Sequence, residues 1–141
     1  MTHATGHSGK RSASLPTEHE EQVTVVQWAA AHEHVEPRLR MLFAIPNAGA
    51  GAQKGQAGKM RAEGVKAGVP DLCLPVRAPY AKMYPPWSGL YIEMKRRKGG
   101  RTSPEQQWWH DALRGQGYRV EVCRGADAAI EVLRDYLGMS A

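Results

Sequence analysis

Three charged residues stand where a folded chain rarely puts charge. Asp71 opens the apolar run Asp71-Leu72-Cys73-Leu74-Pro75-Val76, directly after Gly68-Val69-Pro70. Glu93 and Lys95 close the alternating run Leu90–Lys95, one residue apart. On a strand that spacing turns both side chains to the same face. Burying an unpaired carboxylate costs several kcal/mol or more, so Asp71 needs a cation or several donors nearby. If the two runs pair as a hairpin, two carboxylates and an ammonium converge at one end of a sheet. Two acids in hydrogen-bonding range repel unless a divalent cation lies between them, and oxygen ligands suit Mg²⁺ or Mn²⁺. A lysine beside them can orient or help deprotonate a water, or stabilise charge developing on a phosphorus centre. An ordinary surface ion pair at a strand end is the alternative for Glu93 and Lys95 alone. It does not account for Asp71.

The elements that must position these residues are legible from pattern. Residues 1–16 are small, polar and without periodicity, the composition of a disordered tail, and 17–141 read as a single domain. Thr17 is an N-cap for a helix over 18–34 with acids in its first turn. Residues 39–46 read as a strand stopped by Pro46, and 47–58 as a glycine-rich stretch leading into a short helix over 56–63. The runs 71–76 and 90–95 are strands, joined by a proline-rich excursion over 77–89. Ser103-Pro104-Glu105 opens a helix with N-cap and N1 proline chemistry, running to about Gly115. A strand over 118–123 and an amphipathic helix over 126–137, with Ile130, Leu133 and Leu137 on one face, complete the chain. The expected fold is α/β: a central mixed sheet of about four strands flanked by helices, with a hairpin in the middle and a crossover into the last strand.

Composition bounds the function classes. The chain has 141 residues, a formal net charge of +5 and a pI near 9.4, so a polyanion is the first partner to consider. The two cysteines, Cys73 and Cys123, lack metal-type spacing and read as buried free thiols of a reducing compartment. No apolar run is long enough to cross a membrane. These features point to a soluble, cytoplasmic protein.

The pair Pro70-Asp71 followed by Glu93-Met94-Lys95 resembles the PD-(D/E)XK nuclease signature. The flanking text "FAIPNAG", "GVPDL" and "SPEQQWWHDALRGQGYRVEVC" resembles the VRR-NUC subgroup of that superfamily in its stand-alone phage and bacterial type, over about residues 17–137. The resemblance implies a restriction-endonuclease-like core and a metal-dependent DNA endonuclease working in a bacterial cell, encoded by the host or a phage. It implies branched DNA, such as four-way (Holliday) junctions or flaps, as substrate. Asp71 and Glu93 would hold Mg²⁺ or Mn²⁺, directly or through water, with the Met94 backbone carbonyl as a further ligand. Lys95 would position or activate the attacking water. The subgroup also implies a glutamine after the third strand, which Gln106 matches, to orient that water or Lys95. It further implies a glutamate on the first helix, where Glu18, Glu20 and Glu21 all stand. Gln22, Val25 and Ala29 fall within about 40° of Glu18 on a helical wheel, which favours Glu18 as catalytic and metal-binding residue; Glu21, about 60° away, is second.

Two basic clusters flank this set: Lys54, Lys59, Arg61 and Lys66 before Asp71, and Arg96, Arg97, Lys98 and Arg101 after Lys95. They are the expected phosphate contacts, with Gly99-Gly100 lending the second cluster mobility. Trp28 and Trp109 read as core or near-core, whereas Trp108 points off that face. Two symmetric cuts in a four-way junction call for a two-fold homodimer, through the excursion 77–89 with Tyr80, Tyr84 and Trp87, or through the first helix with Trp28. The competing readings are a sequence-specific restriction-type endonuclease and a catalytically inactive DNA-binding module.

Overall fold

The computed structural model of the chain describes residues 14–47, 55–78 and 85–140. Helix α1 (Glu18–His32) starts at Thr17, whose side chain accepts from the Glu20 amide at 3.2 Å. A 3₁₀ helix (Pro37–Met41) and strand β1 (Phe43–Ala44) follow, then α2 (Gln56–Ala62) and β2 (Leu72–Leu74). Strand β3 (Leu90–Lys95), helix α3 (Pro104–Gly115), strand β4 (Arg119–Arg124) and helix α4 (Ala126–Leu137) complete the order.

The strands form one mixed sheet in the order β1-β2-β3-β4. β1 pairs with β2 and β2 with β3 antiparallel, while β3 and β4 run parallel, as the crossover through α3 requires. The α/β expectation and the hairpin-plus-crossover topology are borne out. Leu72, Leu74, Leu90, Ile92 and Met94 are all buried in one core with Val25 and Ala29 of α1 and Ala129, Leu133 and Leu137 of α4. By strand alternation Asp71, Cys73, Tyr91, Glu93 and Lys95 lie on the opposite face.

Two expected elements are shorter, for identifiable reasons. Pro37 and the Glu36 side chain, which accepts from the Arg38 amide at 3.1 Å, turn the start of the 39–46 run into a 3₁₀ helix. Leu39 is buried from within it and only Phe43–Ala44 remain as strand. β2 stops at Leu74 because Pro75 has no N–H to continue the ladder. Helix α4 keeps its expected bounds and ends at Gly138, with φ 67° in the left-handed region. Cys73 and Cys123 are both buried and free. Among the described residues no helix is long and apolar enough to cross a membrane. Residues 1–13 of the expected tail, Lys54, Tyr80 and Tyr84 lie outside the described residues.

Candidate active site

Pairing of Leu72 with Ile92 sets Asp71 opposite Glu93, one step further along the hairpin. Asp71 Oδ2 accepts from the Met94 amide at 2.7 Å, which fixes its carboxylate at the mouth of the β2–β3 pair. Met94 thus enters the site through its N–H, while its side chain is buried in the opposite layer.

Helix α3 covers this end of the sheet. Ser103 and Gln106 form a capping box: the Ser103 side chain accepts from the Gln106 amide, and Gln106 Oε1 accepts from the Ser103 amide at 2.9 Å. The same Oε1 accepts from Lys95 Nζ at 3.0 Å, and Gln106 Nε2 donates to Glu93 Oε1 at 2.6 Å. One amide therefore holds the helix start, the lysine and the glutamate together. Lys95 Nζ also donates to the Arg101 carbonyl at 3.2 Å and stands 3.6 Å from Glu93 Oε1. Gly68 permits the approach. Its φ is +88°, and a Cβ there would meet the backbone carbon of Glu105 at 2.7 Å and the Gln106 amide nitrogen at 2.9 Å. Glycine lets the Gly68-Val69-Pro70 loop lie against the first turn of α3, which brings Asp71 and Gln106 to one place.

The electrostatics are those of crowded acids. Burial, and then the charge of Asp71, push Glu93 up to about 8, although Lys95 opposes the shift. Burial also raises Asp71, countered by the Met94 amide and reinforced by the charge of Glu18. Glu18 stands close enough to repel both carboxylates, but among the described residues no three His, Cys, Asp or Glu side chains close into a metal-holding group. Glu93 Oε2 is buried and has no hydrogen-bond partner. A carboxylate pair that raises its own proton affinity, with one oxygen left unmatched, has the donor chemistry of a hard divalent cation.

Glu21 is spent elsewhere. It is 2% exposed, accepts from Arg97 Nε at 2.8 Å, and its Oε2 accepts from the Ala126 amide at 2.6 Å. It caps α4, whose own N-cap is Gly125, and the buried stripe of α1 begins at Glu21 instead of Glu18. Arg97 is thereby an ion-pair partner first, while Arg96, Lys98 and Arg101 are exposed beside it. Lys59, Arg61 and Lys66 are likewise exposed on and after α2. Arg124 donates to the Gly99 carbonyl at 2.5 Å and to the Gly100 carbonyl at 3.0 Å, which ties the Gly99-Gly100 turn to the end of β4. Trp28 is partly buried against the core, and Trp108 is 63% exposed with its edge against Trp109.

One residue at the site went unread in the sequence. His110 is 1% exposed and its Nε2 lies 3.8 Å from Glu93 Oε2. Burial, followed by the charge of Arg114, holds its pKa below the usual imidazole value. Its place four residues after Gln106, on the same helix face, was the available signal.

Comparison with known proteins agrees with this architecture. No curated protein matches the chain. A solved structure described as a VRR_NUC domain protein superposes with a TM-score of 0.69 at 27% identity, covering 90% of this chain and 93% of that one. The VRR-NUC domain family model matches residues 11–127, and the chain belongs to that family of nuclease domains.

Proposed function

We propose that the chain is a Mg²⁺- or Mn²⁺-dependent DNA endonuclease selective for branched DNA, four-way junctions or flaps, in phage or bacterial DNA processing. The observation that carries the chemistry is the Asp71–Glu93 pair at adjacent strand ends, tied to Lys95 through Gln106. Asp71, Glu93 and Glu18 would hold the metal ion, directly or through water, with the Met94 carbonyl as a further ligand. When bound, the metal polarises the scissile phosphate and supplies a nucleophilic water at neutral pH. Lys95 would orient the attacking water with the proton left after it donates to Gln106 Oε1 and the Arg101 carbonyl, its Nζ standing 3.6 Å from Glu93 Oε1. Gln106 fixes Lys95 and Glu93 relative to each other, so neither reorganises as charge develops. Exposed Lys59, Arg61, Lys66, Arg96, Lys98 and Arg101 take the phosphates on either side, with Lys54 and the free edge of Arg97. The free, buried cysteines accord with a cytoplasmic setting.

A homodimer supplies the two cuts that a four-way junction needs, and exposed Val23 and Val26 on α1 offer an apolar surface for it. Purified protein incubated with linear, flapped and four-way DNA, with EDTA or Mn²⁺, tests the reading. Cleavage of branched DNA only with Mn²⁺ supports it. Full cleavage in EDTA refutes the metal role, and equal cleavage of linear DNA refutes the selectivity.

A further inference from the structure

Glu93 Oε2 and His110 Nε2 are the buried side-chain polar atoms without a hydrogen-bond partner among the described residues, and they face each other at 3.8 Å. Each side chain is 1% exposed, so water does not satisfy either from outside. A buried polar atom left unmatched is strongly disfavoured, and two complementary ones at this separation need a shift of only about 1 Å to reach hydrogen-bond length. Gln106 and His110 stand one helical turn apart on the same face of α3, and Gln106 Nε2 already grips the other oxygen of the same carboxylate at 2.6 Å.

We infer that His110 is a positioning residue for Glu93, its Nε2–H donating to Oε2 while Gln106 Nε2–H donates to Oε1, so that α3 fixes both carboxylate oxygens. This rests on the reading of Glu93 as a metal ligand. Each carboxylate oxygen has two lone-pair sites, so a donor on Oε2 leaves room for a cation on the same oxygen. A clamp on both oxygens fixes the plane of the carboxylate, which a single bond from Gln106 leaves free to rotate. Partners that orient a ligand in this way typically contribute about 10–100-fold in metal affinity or activity.

The test compares His110→Leu, which keeps volume and removes the donor, with His110→Gln, whose Nε2–H₂ restores one. Mn²⁺ affinity is read by calorimetry in the absence of DNA, and steady-state cleavage is read with it. His110→Leu should bind Mn²⁺ at least about 10-fold more weakly and lose kcat with KM for DNA unchanged, and His110→Gln should recover most of both. Long-range ¹⁵N–¹H correlation on the wild type should report the Nε2–H tautomer for His110. Equal losses in both variants, or wild-type Mn²⁺ affinity in His110→Leu, overturn the role of His110. An Nδ1–H tautomer in the wild type overturns it too, whether or not the variants fold. A wild type that binds no Mn²⁺ instead overturns the metal-site reading beneath it.

Discussion

Replacing Glu93 with Gln should stabilise the metal-free protein at alkaline pH while abolishing cleavage. Burial and the Asp71 charge lift Glu93 to about 8 in the folded chain, from an ordinary carboxylate value of 4.5. A group whose folded pKa is raised stabilises the fold fully below its unfolded pKa and loses that contribution as pH rises through the folded one. The window is therefore pH 4.5 to 8, where the folded chain holds a proton that the unfolded chain has released. Each pH unit inside it removes up to about 1.4 kcal/mol, so the metal-free wild type should lose on the order of 3 kcal/mol between about pH 5 and 8 relative to Glu93→Gln. The substituted amide is neutral throughout and keeps an oxygen for Gln106 Nε2. Urea denaturation followed by tryptophan fluorescence in EDTA, on both proteins at about pH 5, 6.5 and 8, measures the difference for Glu93 together with its neighbour His110, the other histidines being common to both. Excess Mn²⁺ at about pH 8 should then raise the stability of the wild type and leave Glu93→Gln nearly unchanged. A wild-type-minus-variant difference constant to within about 0.5 kcal/mol across that range would refute the account of Glu93 as a buried, crowded carboxylate.

Asp71→Ala should abolish cleavage and weaken calorimetric Mn²⁺ binding by at least about 10-fold with the sheet intact; unchanged binding would remove Asp71 from the metal site. Lys95→Ala should lower turnover by about 10²–10⁴-fold while DNA binding survives in a gel-shift assay. Arg96→Ala with Lys98→Ala should weaken DNA binding and reduce the salt slope by about 2, and an unaltered slope would make this segment a solvated face. Arg97 is left in place there, because removing it strips the buried Glu21 of its cation. Gly68→Ala should cost at least about 1–2 kcal/mol from its φ of +88° alone, before the clash with α3, and should lower kcat by moving Asp71 away from Gln106; thermal melts and kinetics read the two effects. Light scattering at micromolar concentration should give a dimer, with paired nicks on opposite arms of a junction, whereas a monomer nicking flaps as readily as junctions would contradict the dimer.

What could be read from the sequence follows the distance between partners. The start of α3 was visible because the Ser103 N-cap and the N1 proline Pro104 act within a single turn. The facing of Asp71 and Glu93 was visible because a hairpin with period 2 leaves few registers that keep Leu72, Leu74, Leu90 and Ile92 on one side. By contrast, Glu21 and the helix start it caps at Ala126 are 105 residues apart, and no spacing rule links them. The same holds for Arg97, read as a phosphate contact from its neighbours, though it pairs with Glu21 on helix α1. His110 falls between these cases. Periodicity puts it on the face of Gln106, but only the crossover from β3 through α3 to β4 lands that face on Glu93. A buried histidine in a helix reads equally as packing. What distinguishes it is a second buried atom, on a different element, that lacks a partner of its own. Such a complementarity exists only once the helix has docked, so it belongs to the tertiary fold and leaves no local mark in the chain.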